Sequence, residues 1–372
     1  MKTDTAASRV PPSHGRRDVP PCDWLKALEQ GPVEASAPCR VDMGGTLDLR
    51  TFSFPLQHLA PCTVNIALDL RTTVRIEPHR PGRVKVSSTG FRSADFASGA
   101  APFDHPLGLM FAVAAFFKAE AVHIRIRSQS PPRSALGGSS AAAVALVAAL
   151  SALARRGRPG PAPDGRSVAL IAQAVEESVA GVPCGYQDQL AAVFGGVNTW
   201  YWVARPPSVV FRRRTAVPAR RHRELGRHML VAYCGIPHES SNVNGRWVRQ
   251  FLSGRNRQVW ERIAAWTHRF SDALGAGRYE EAAVCMHQET ALRRRLTPDV
   301  LDGVGRDLVA AARRSGCGAR FTGAGGGGCV WAIGARERVS RLKPRWQAVL
   351  AGCASARLLD ADVAGEGLQT GD

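Results

Sequence analysis

Short segments in which apolar and polar residues alternate dominate the first part of the chain. Residues 63–68, 72–76 and 83–87 follow this pattern, are bounded by proline and glycine, and predict the strands of an antiparallel β-rich region. Residues 122–127 alternate strictly and predict a half-buried strand. The stretch 107–119 is too densely apolar for an exposed helix. We therefore expect a sheet with buried helical structure beside it.

Helical patterns become more frequent further along the chain. An Ala-rich helix is predicted to begin near residue 139, another to run over 167–179, and several more to occupy 248–313. A later helix is predicted near 337–350. Three further segments predict strands: residues 228–233, 329–333 and 356–359. Strands and helices that alternate in this way predict an α+β sandwich.

Shifts in composition suggest how the chain is divided. Residues 1–34 are expected to form a mobile extension and 35–205 the first domain. The Pro- and Arg-rich stretch 206–226 is predicted to be a linker. Residues 227–360 are expected to form the second domain, and 361–372 a mobile tail.

Charge and cysteine content narrow the class of protein. The formal net charge is +18, but arginine supplies most of the cations and is spread along the whole chain, which favours attraction of small anions over a nucleic-acid footprint. The nine cysteines include no Cys-x-x-Cys pair, which favours a reducing cytoplasm over a disulfide framework or a zinc site. The apolar run 141–154 is shorter than the ~20 residues that span a bilayer, so no membrane partner is expected.

The most informative segment is a glycine loop followed directly by the Ala-rich helix. It reads Pro131-Pro-Arg-Ser-Ala-Leu-Gly-Gly-Ser-Ser-Ala. Gly137 and Gly138 let backbone amides approach an anion closely, and the positive end of a helix dipole favours a phosphate there. Ser139 and Ser140 can alternatively be plain helix N-caps, although a cap needs one hydroxyl and no paired glycines.

A second glycine-rich segment lies near the C-terminus, at residues 322–328. It contains Gly-x-Gly-x-x-Gly, but a predicted strand follows it where a dinucleotide-binding fold needs a helix. The chain contains no Walker loop. A tight turn is one explanation for this run, and a loop that a ligand approaches closely explains its five glycines better.

A third segment carries acidic residues around a Gly- and Pro-containing loop. Glu176 and Glu177 lie near the end of a predicted helix, and Asp188 follows the loop. One carboxylate is suited to bind Mg²⁺ and another to act as a base towards a hydroxyl. The glutamates can equally form a solvated helix face, and Asp188 can be a helix N-cap.

Taken in order, these segments resemble the motifs of the GHMP kinases, which include galactokinase, homoserine kinase, mevalonate kinase and phosphomevalonate kinase. The first motif is similar to residues 37–41, Ala-Pro-Cys-Arg-Val, the second to 132–141 and the third to 322–329. The resemblance implies an α+β, two-domain fold, with a ribosomal-protein-S5-like N-terminal domain and a ferredoxin-like C-terminal domain. It also implies ATP and Mg²⁺ as cofactors and an active site between the domains.

The resemblance assigns roles residue by residue. Asp188 would act on the acceptor hydroxyl and Arg40 would neutralise charge beside it, while Ser140 and Glu176 would hold Mg²⁺. Glu177 is an alternative to Glu176, and Asp42 an alternative to Asp48 for the acceptor. The ATP phosphates would lie against Leu136, Gly137, Gly138, Ser139, Ser140 and Ala141. The acceptor would contact Asp48, Gly185, Gly323, Gly325, Gly326, Ser240 and Asn244, with Ser241 as a further candidate and a helix cap as the alternative for the residues near 240.

The same resemblance suggests the acceptor. Residues 181–189 are similar to galactokinases, and residues 187–198 and 232–241 to the heptose-phosphate kinases. A sugar or sugar phosphate is therefore the expected substrate and an anomeric hydroxyl the expected acceptor. A mevalonate-type kinase and a non-catalytic ligand sensor of the same shape are the alternatives. The oligomeric state does not follow from the sequence.

Overall fold

The computed structural model describes residues 22–371 except 157–160, 206–208 and 238–239. Its helices are α1 Trp24–Glu29, α2 Arg50–Ser53, α3 Gly108–Phe116, α4 Gly138–Ala154, α5 Gly165–Val179, α6 Gln187–Phe194, α7 His222–Gly226, α8 Ser240–Leu252, α9 Arg257–Ala276, α10 Tyr279–Leu296, α11 Gly303–Arg314 and α12 Arg336–Leu350. Its strands are β1 Val33–Met43, β2 Cys62–Pro78, β3 Arg83–Ser88, β4 Ala94–Ala97, β5 Val122–Ser128, β6 Val197–Arg205, β7 Val209–Val217, β8 Met229–Tyr233, β9 Gly318–Phe321, β10 Cys329–Ile333, β11 Arg357–Leu359 and β12 Gln369–Thr370.

Among the described residues the first sheet has eight strands, in the order β12-β1-β2-β5-β3-β4, with β6 on β2 and β7 on β6. The predicted strands 63–68 and 72–76 are one strand, β2, which pairs along its length with β1. The pairing shifts between Pro38 and Cys39, so the two halves of β2 take different neighbours, β6 at one end and β5 at the other. One long strand therefore replaces two short ones, and the residues between Leu68 and Arg71 of β2 have no partner in β1, an irregularity of the bulge type that lets a strand bend.

Helix α4 forms the centre of the first domain. It packs on β1 and β2 and also touches α3, α5 and α6. Its many alanines are buried, and their small side chains let the sheet and the neighbouring helices approach it closely. The first turn of α4 is thereby fixed at the end of β1, where the candidate site lies.

The second sheet has four antiparallel strands in the order β11-β8-β10-β9. Helices α10 and α11 pack against β9 and β10, and α12 against β8 and β11. These two sheets with their helices confirm the α+β class. Within the part of the chain that the structure describes, no helix combines the length and the apolar character needed to cross a membrane.

The expected linker at 206–226 is wrong in its described part. Residues 209–217 form β7, which pairs with β6, and α7 follows. The arginines that suggested a linker belong to this strand, and the guanidinium of Arg213 lies 4.7 Å from the centroid of the Phe194 ring. Arginine side chains can cover aromatic surface while their charge stays near water, so an Arg-rich strand is compatible with a sheet.

Both expected mobile ends also need correction. Residues 24–29 form α1, whose Trp24 is buried, and 33–34 already belong to β1, while residues 1–21 lie outside the described part. At the other end, β12 pairs with β1, and Arg71 donates hydrogen bonds to the carbonyl oxygens of Glu366 and Gly367. The segment covers a strand edge that would otherwise leave backbone groups unpaired, which explains its ordered path.

Candidate active site

The glycine loop ends where α4 begins. Gly137 has φ 75°, a left-handed conformation that favours glycine, and α4 starts at Gly138. Because Gly137 has no side chain, the amides of the first helical turn receive no cap from it. Ser139 is exposed and Ser140 is buried. This geometry leaves the positive end of the helix free to meet an anion.

Ser140 is connected to a carboxylate on the neighbouring helix. Its hydroxyl donates a 2.8 Å hydrogen bond to Oε2 of Glu176. The same oxygen accepts a 2.7 Å hydrogen bond from the side-chain amide of Gln189. Burial, together with the nearby charge of Asp188, raises the pKa of Glu176 to about 7. Glu177 is exposed and instead accepts a hydrogen bond from Gln173. Of the two glutamates, Glu176 is the one that faces Ser140.

Arg40 and Asp188 form a two-pronged ion pair. Arg40 lies in β1 and is 3% exposed, and its Nε and Nη2 atoms each lie 2.8 Å from an oxygen of Asp188 in the first turn of α6. Nη1 donates to the carbonyl of Ala135 in the glycine loop, at 2.7 Å. Burial alone would lower the pKa of Arg40, but the charges of Asp188 and Asp42 raise it above its usual value. Arg40 therefore stays charged and joins the loop to the carboxylate.

Asp48 lies beside this pair. Its carboxylate accepts a 3.1 Å hydrogen bond from the amide of Gln187, the first residue of α6. A Cβ atom on Gly185 would lie 1.7 Å from the same carboxylate, so glycine is required there by close packing. Burial and the charge of Asp188 raise the pKa of Asp48 to about 6. Asp42, the alternative, is fully buried and bonded to Gly323 and Arg320 instead.

These side chains surround a cavity of about 620 Å³. The expected site residues that line it are Arg40, Asp48, Gly137, Gly138, Ser139, Ser140, Glu176, Gly185, Asp188, Asn244 and Gly323. Another part of the lining is largely apolar and was not anticipated: Phe91, Leu107, Leu109, Met110 and Ile126. The sequence signal for Leu107, Leu109 and Met110 was the apolar density of the stretch 107–119. A cavity with one apolar part and one polar part is suited to a nucleotide beside a polar acceptor.

Several expected site residues do not line the cavity or lie outside the described side chains. Leu136 and Ala141 are fully buried and do not line the cavity; the carbonyl of Leu136 instead accepts a hydrogen bond from the Arg40 amide. Ser240 begins α8, and its side chain, like that of Ser241, lies outside the described part. Helix α8 thus begins in the stretch for which a helix cap was the alternative, and the cap itself stays a prediction.

Gly325 and Gly326 do not line the cavity either, because their loop packs against Val300. A Cβ atom on Gly325 would lie 2.5 Å from the Val300 carbonyl oxygen, which accepts a 2.8 Å hydrogen bond from the Gly326 amide. A Cβ atom on Gly328 would lie 2.6 Å from the carbonyl oxygen of Ser134. The second glycine loop therefore lies against the first one, and strand β10 follows it, which agrees with the rejection of a dinucleotide fingerprint.

The oxygen ligands near α4 suit a magnesium ion. Within the described ranges, no group of three His, Cys, Asp or Glu side chains is arranged to hold a metal alone. Ser140 and Glu176 supply two hard oxygen ligands beside the helix start. Mg²⁺ is commonly held by one or two protein ligands, with phosphate oxygens and water completing its shell, so these residues fit that ion.

Comparison with protein families agrees with the resemblance seen in the motifs. The family model described as GHMP kinases N terminal domain matches residues 108–196, and the one described as GHMP kinases C terminal matches residues 270–352. A mevalonate kinase from Thermococcus sibiricus is 24% identical over 332 residues, which cover 81% of this chain and 89% of that protein.

Solved structures share the fold over nearly the whole chain. The D-glycero-D-manno-heptose 1-phosphate kinase from Bacteroides thetaiotaomicron matches with a TM-score of 0.68 and 17% identity, covering 91% of this chain and 99% of that one. The Lactococcus lactis galactokinase complexed with galactose matches with a TM-score of 0.69 and 17% identity, covering 93% and 98%. At this identity the likeness concerns the fold.

Proposed function

The chain belongs to the GHMP kinases, and from this premise we propose that it transfers the γ-phosphoryl group of ATP to a hydroxyl of a sugar or sugar phosphate. The acceptor proposed is the anomeric hydroxyl. ATP and Mg²⁺ are the proposed cofactors.

One observation carries the proposal. Four side chains from four different elements face one cavity: Arg40 of β1, Ser140 of α4, Glu176 of α5 and Asp188 of α6. They are the residues that a kinase needs for charge neutralisation, for the metal and for the acceptor hydroxyl. Phosphoryl transfer requires mainly positioning and electrostatic stabilisation, and this arrangement supplies both.

Each residue has a distinct role in this proposal. The amides at the start of α4 bind phosphate oxygens, and Ser140 and Glu176 hold Mg²⁺. When bound, the ion neutralises charge on the transferred phosphoryl group. Asp188 orients the acceptor hydroxyl or takes its proton, and Arg40 fixes the carboxylate of Asp188 through two hydrogen bonds.

A mevalonate-type kinase is the second candidate, because the curated relative is named a mevalonate kinase. We favour a sugar because the carboxylates of Asp48 and Asp188 line the same cavity, and together they can accept hydrogen bonds from several hydroxyl groups. ATP consumption measured against aldoses, their terminal phosphates, mevalonate and homoserine distinguishes the two. If only mevalonate or homoserine is phosphorylated, the sugar assignment is wrong and the kinase assignment stands.

MgATP is expected to raise the midpoint of thermal unfolding. A ligand that binds only the folded state at 100 times its Kd adds about 2.7 kcal/mol to the free energy of unfolding. The measurement is a thermal melt with MgATP, with Mg²⁺ alone as control, and titration calorimetry. Absence of adenine-nucleotide binding at millimolar concentration would contradict the kinase proposal and favour a non-catalytic sensor of another ligand.

Replacement of Asp48 by asparagine is expected to weaken acceptor binding and leave MgATP binding nearly unchanged. Asparagine keeps an oxygen for the Gln187 amide, so the start of α6 is preserved. Loss of charged hydrogen bonds to acceptor hydroxyls, at about 1–3 kcal/mol, corresponds to a roughly 5- to 150-fold rise in acceptor KM. An equal loss of ATP affinity would contradict this role.

The pH dependence of acceptor KM tests the same residue. The pKa of Asp48 is raised to about 6, so the carboxyl group is protonated below that pH and accepts hydrogen bonds poorly. Acceptor KM is therefore expected to fall as the pH rises from 5 to 7 and then to level off. In Asp48→Asn this step should disappear, because the amide does not titrate.

A further inference from the structure

Six charged side chains form a continuous line from helix α10, which packs on the second sheet, to the candidate active site. In order they are Arg293, Glu289, Arg320, Asp42, Arg40 and Asp188. The nitrogen–oxygen distances between neighbours are 2.8, 3.0, 2.8, 3.6 and 2.8 Å. The charges alternate in sign along the line. Three guanidinium groups and three carboxylates give it no formal net charge.

The first four side chains of this line are buried in the interior. The side chains of Asp42, Glu289, Arg293 and Arg320 are 0% exposed. Burial alone would raise the pKa of Glu289, but the guanidinium groups of Arg320 and Arg293 hold it below its usual value. Apolar residues of similar volume often stabilise a fold as well as a buried ion pair does, so stability alone does not account for four buried charges.

The line also contacts the backbone of the segments that form the active site. Asp42 accepts a 2.7 Å hydrogen bond from the amide of Gly323, at the start of the second glycine loop. Arg320 lies in β9, directly before that loop. At the far end, Arg293 donates to the carbonyl of Gly45 and to the hydroxyl of Thr46, in the segment that leads to Asp48. Three parts of the active site are thus attached to one charged network.

We propose that Arg320 is a positioning residue for phosphoryl transfer, which acts through Asp42 to fix Arg40 and the Gly323 amide relative to one another. The network joins β1 of the first sheet to β9 of the second sheet and to α10. In this proposal it fixes the position of Arg40 relative to the second glycine loop. The kinetic part of this inference rests on the proposed function, whereas the structural part concerns contacts within the chain alone.

The first test compares three variants. Arg320→Met removes the charge, Arg320→Lys keeps the charge but not the fork that reaches Asp42 and Glu289, and Leu308→Ala truncates a buried residue of α11 outside the network. We expect kcat to fall about 10- to 100-fold in Arg320→Met, with both KM values within about threefold, and less in Arg320→Lys. Leu308→Ala should lower the melting temperature while kcat per folded molecule stays normal. If kcat in both Arg320 variants falls only in proportion to the unfolded fraction, the positioning role is wrong.

A double-mutant cycle tests the route through Asp42. Asp42→Asn keeps an acceptor for the Gly323 amide and removes the charge between the two arginines. If Arg320 acts through Asp42, Asp42→Asn combined with Arg320→Met should be about as slow as the slower single variant. If the increases in activation free energy calculated from kcat for the two single variants add up fully in the double variant, the proposal is overturned.

Hydrogen exchange of the loop separates this inference from the proposed function. The peptide covering residues 322–328 should exchange faster in Arg320→Met, and in Asp42→Asn, than in the unchanged protein or in Leu308→Ala. If the loop responds in this way but the unchanged protein phosphorylates no acceptor, the kinase proposal fails and the structural coupling stands. If the unchanged protein is active but neither kcat nor loop exchange depends on Arg320, the coupling is wrong.

Discussion

Replacement of Asp188 by asparagine is expected to abolish phosphoryl transfer while MgATP still binds. Both oxygens of Asp188 accept hydrogen bonds from Arg40, and the side chain is 25% exposed towards the cavity, so an acceptor hydroxyl can reach it. A positioned acid or base contributes about 10²- to 10⁴-fold to rate, and asparagine provides neither the charge nor the basicity. The measurement is kcat with the true acceptor, with MgATP affinity determined by calorimetry.

The matched control is Asp307→Asn, which makes the same chemical change at an exposed position of α11. It should leave kcat and the melting temperature close to those of the unchanged protein. A near-normal kcat in Asp188→Asn would show that the acceptor hydroxyl is handled by another group. Loss of MgATP binding together with kcat would instead indicate that the variant had disturbed the glycine loop through Arg40.

The three chemical motifs were predictable because each depends on local sequence. Gly137 and Gly138 before an Ala-rich helix predict a helix start without a side-chain cap, and the structure has this helix start. The strand after the second glycine loop was also predicted from adjacent residues, and β10 covers the predicted residues 329–333. Such features need no knowledge of the remaining chain, since the residues that form them are adjacent.

Features that depend on distant partners were missed. Strand β7 looked like a linker because its arginines stand out in the sequence, whereas their aromatic partners on α6 and β6 become neighbours only in the fold. The tail after residue 361 has no periodicity, and its order comes from pairing with β1. The spacing of the motif likewise did not show which of Glu176 and Glu177 faces Ser140. Adjacent residues of a helix point in different directions, and the packing of α5 decides which one points towards Ser140.

The buried network explains a further limit of motif reading. Asp42 was the alternative to Asp48 for the acceptor because the resemblance places an acidic residue near the first motif, but its partners Arg320 and Gly323 come from the other end of the chain. Burial beside two guanidinium groups removes it from the cavity and leaves Asp48 as the lining carboxylate. The different positions of two aspartates six residues apart are therefore set by tertiary contacts.

Replacement of Glu176 by glutamine is expected to lower kcat about 100-fold at millimolar Mg²⁺, which corresponds to losing roughly 3 kcal/mol of charge stabilisation. Glutamine preserves the size of the side chain and a hydrogen-bond partner for Ser140 but removes the charge proposed to hold the metal. In the unchanged protein the pKa of Glu176 is raised to about 7, so protons compete with the ion below that pH. The apparent affinity for Mg²⁺ should therefore increase as the pH rises from 6 to 8, and this increase should be absent in Glu176→Gln.

The adjacent residue provides the control for this prediction. Glu177→Gln removes the same charge one position along α5, where the side chain is exposed and bonded to Gln173. It should retain normal kcat and the normal rise of Mg²⁺ affinity with pH, as measured by activity titrations at several Mg²⁺ concentrations. If Glu177→Gln lowers kcat more than Glu176→Gln does, Glu177 holds the metal, and α5 must rotate when MgATP binds. If neither change alters the Mg²⁺ dependence, the carboxylates of α5 do not hold the ion, and the hydrogen bond between Ser140 and Glu176 serves only to fix the start of α4.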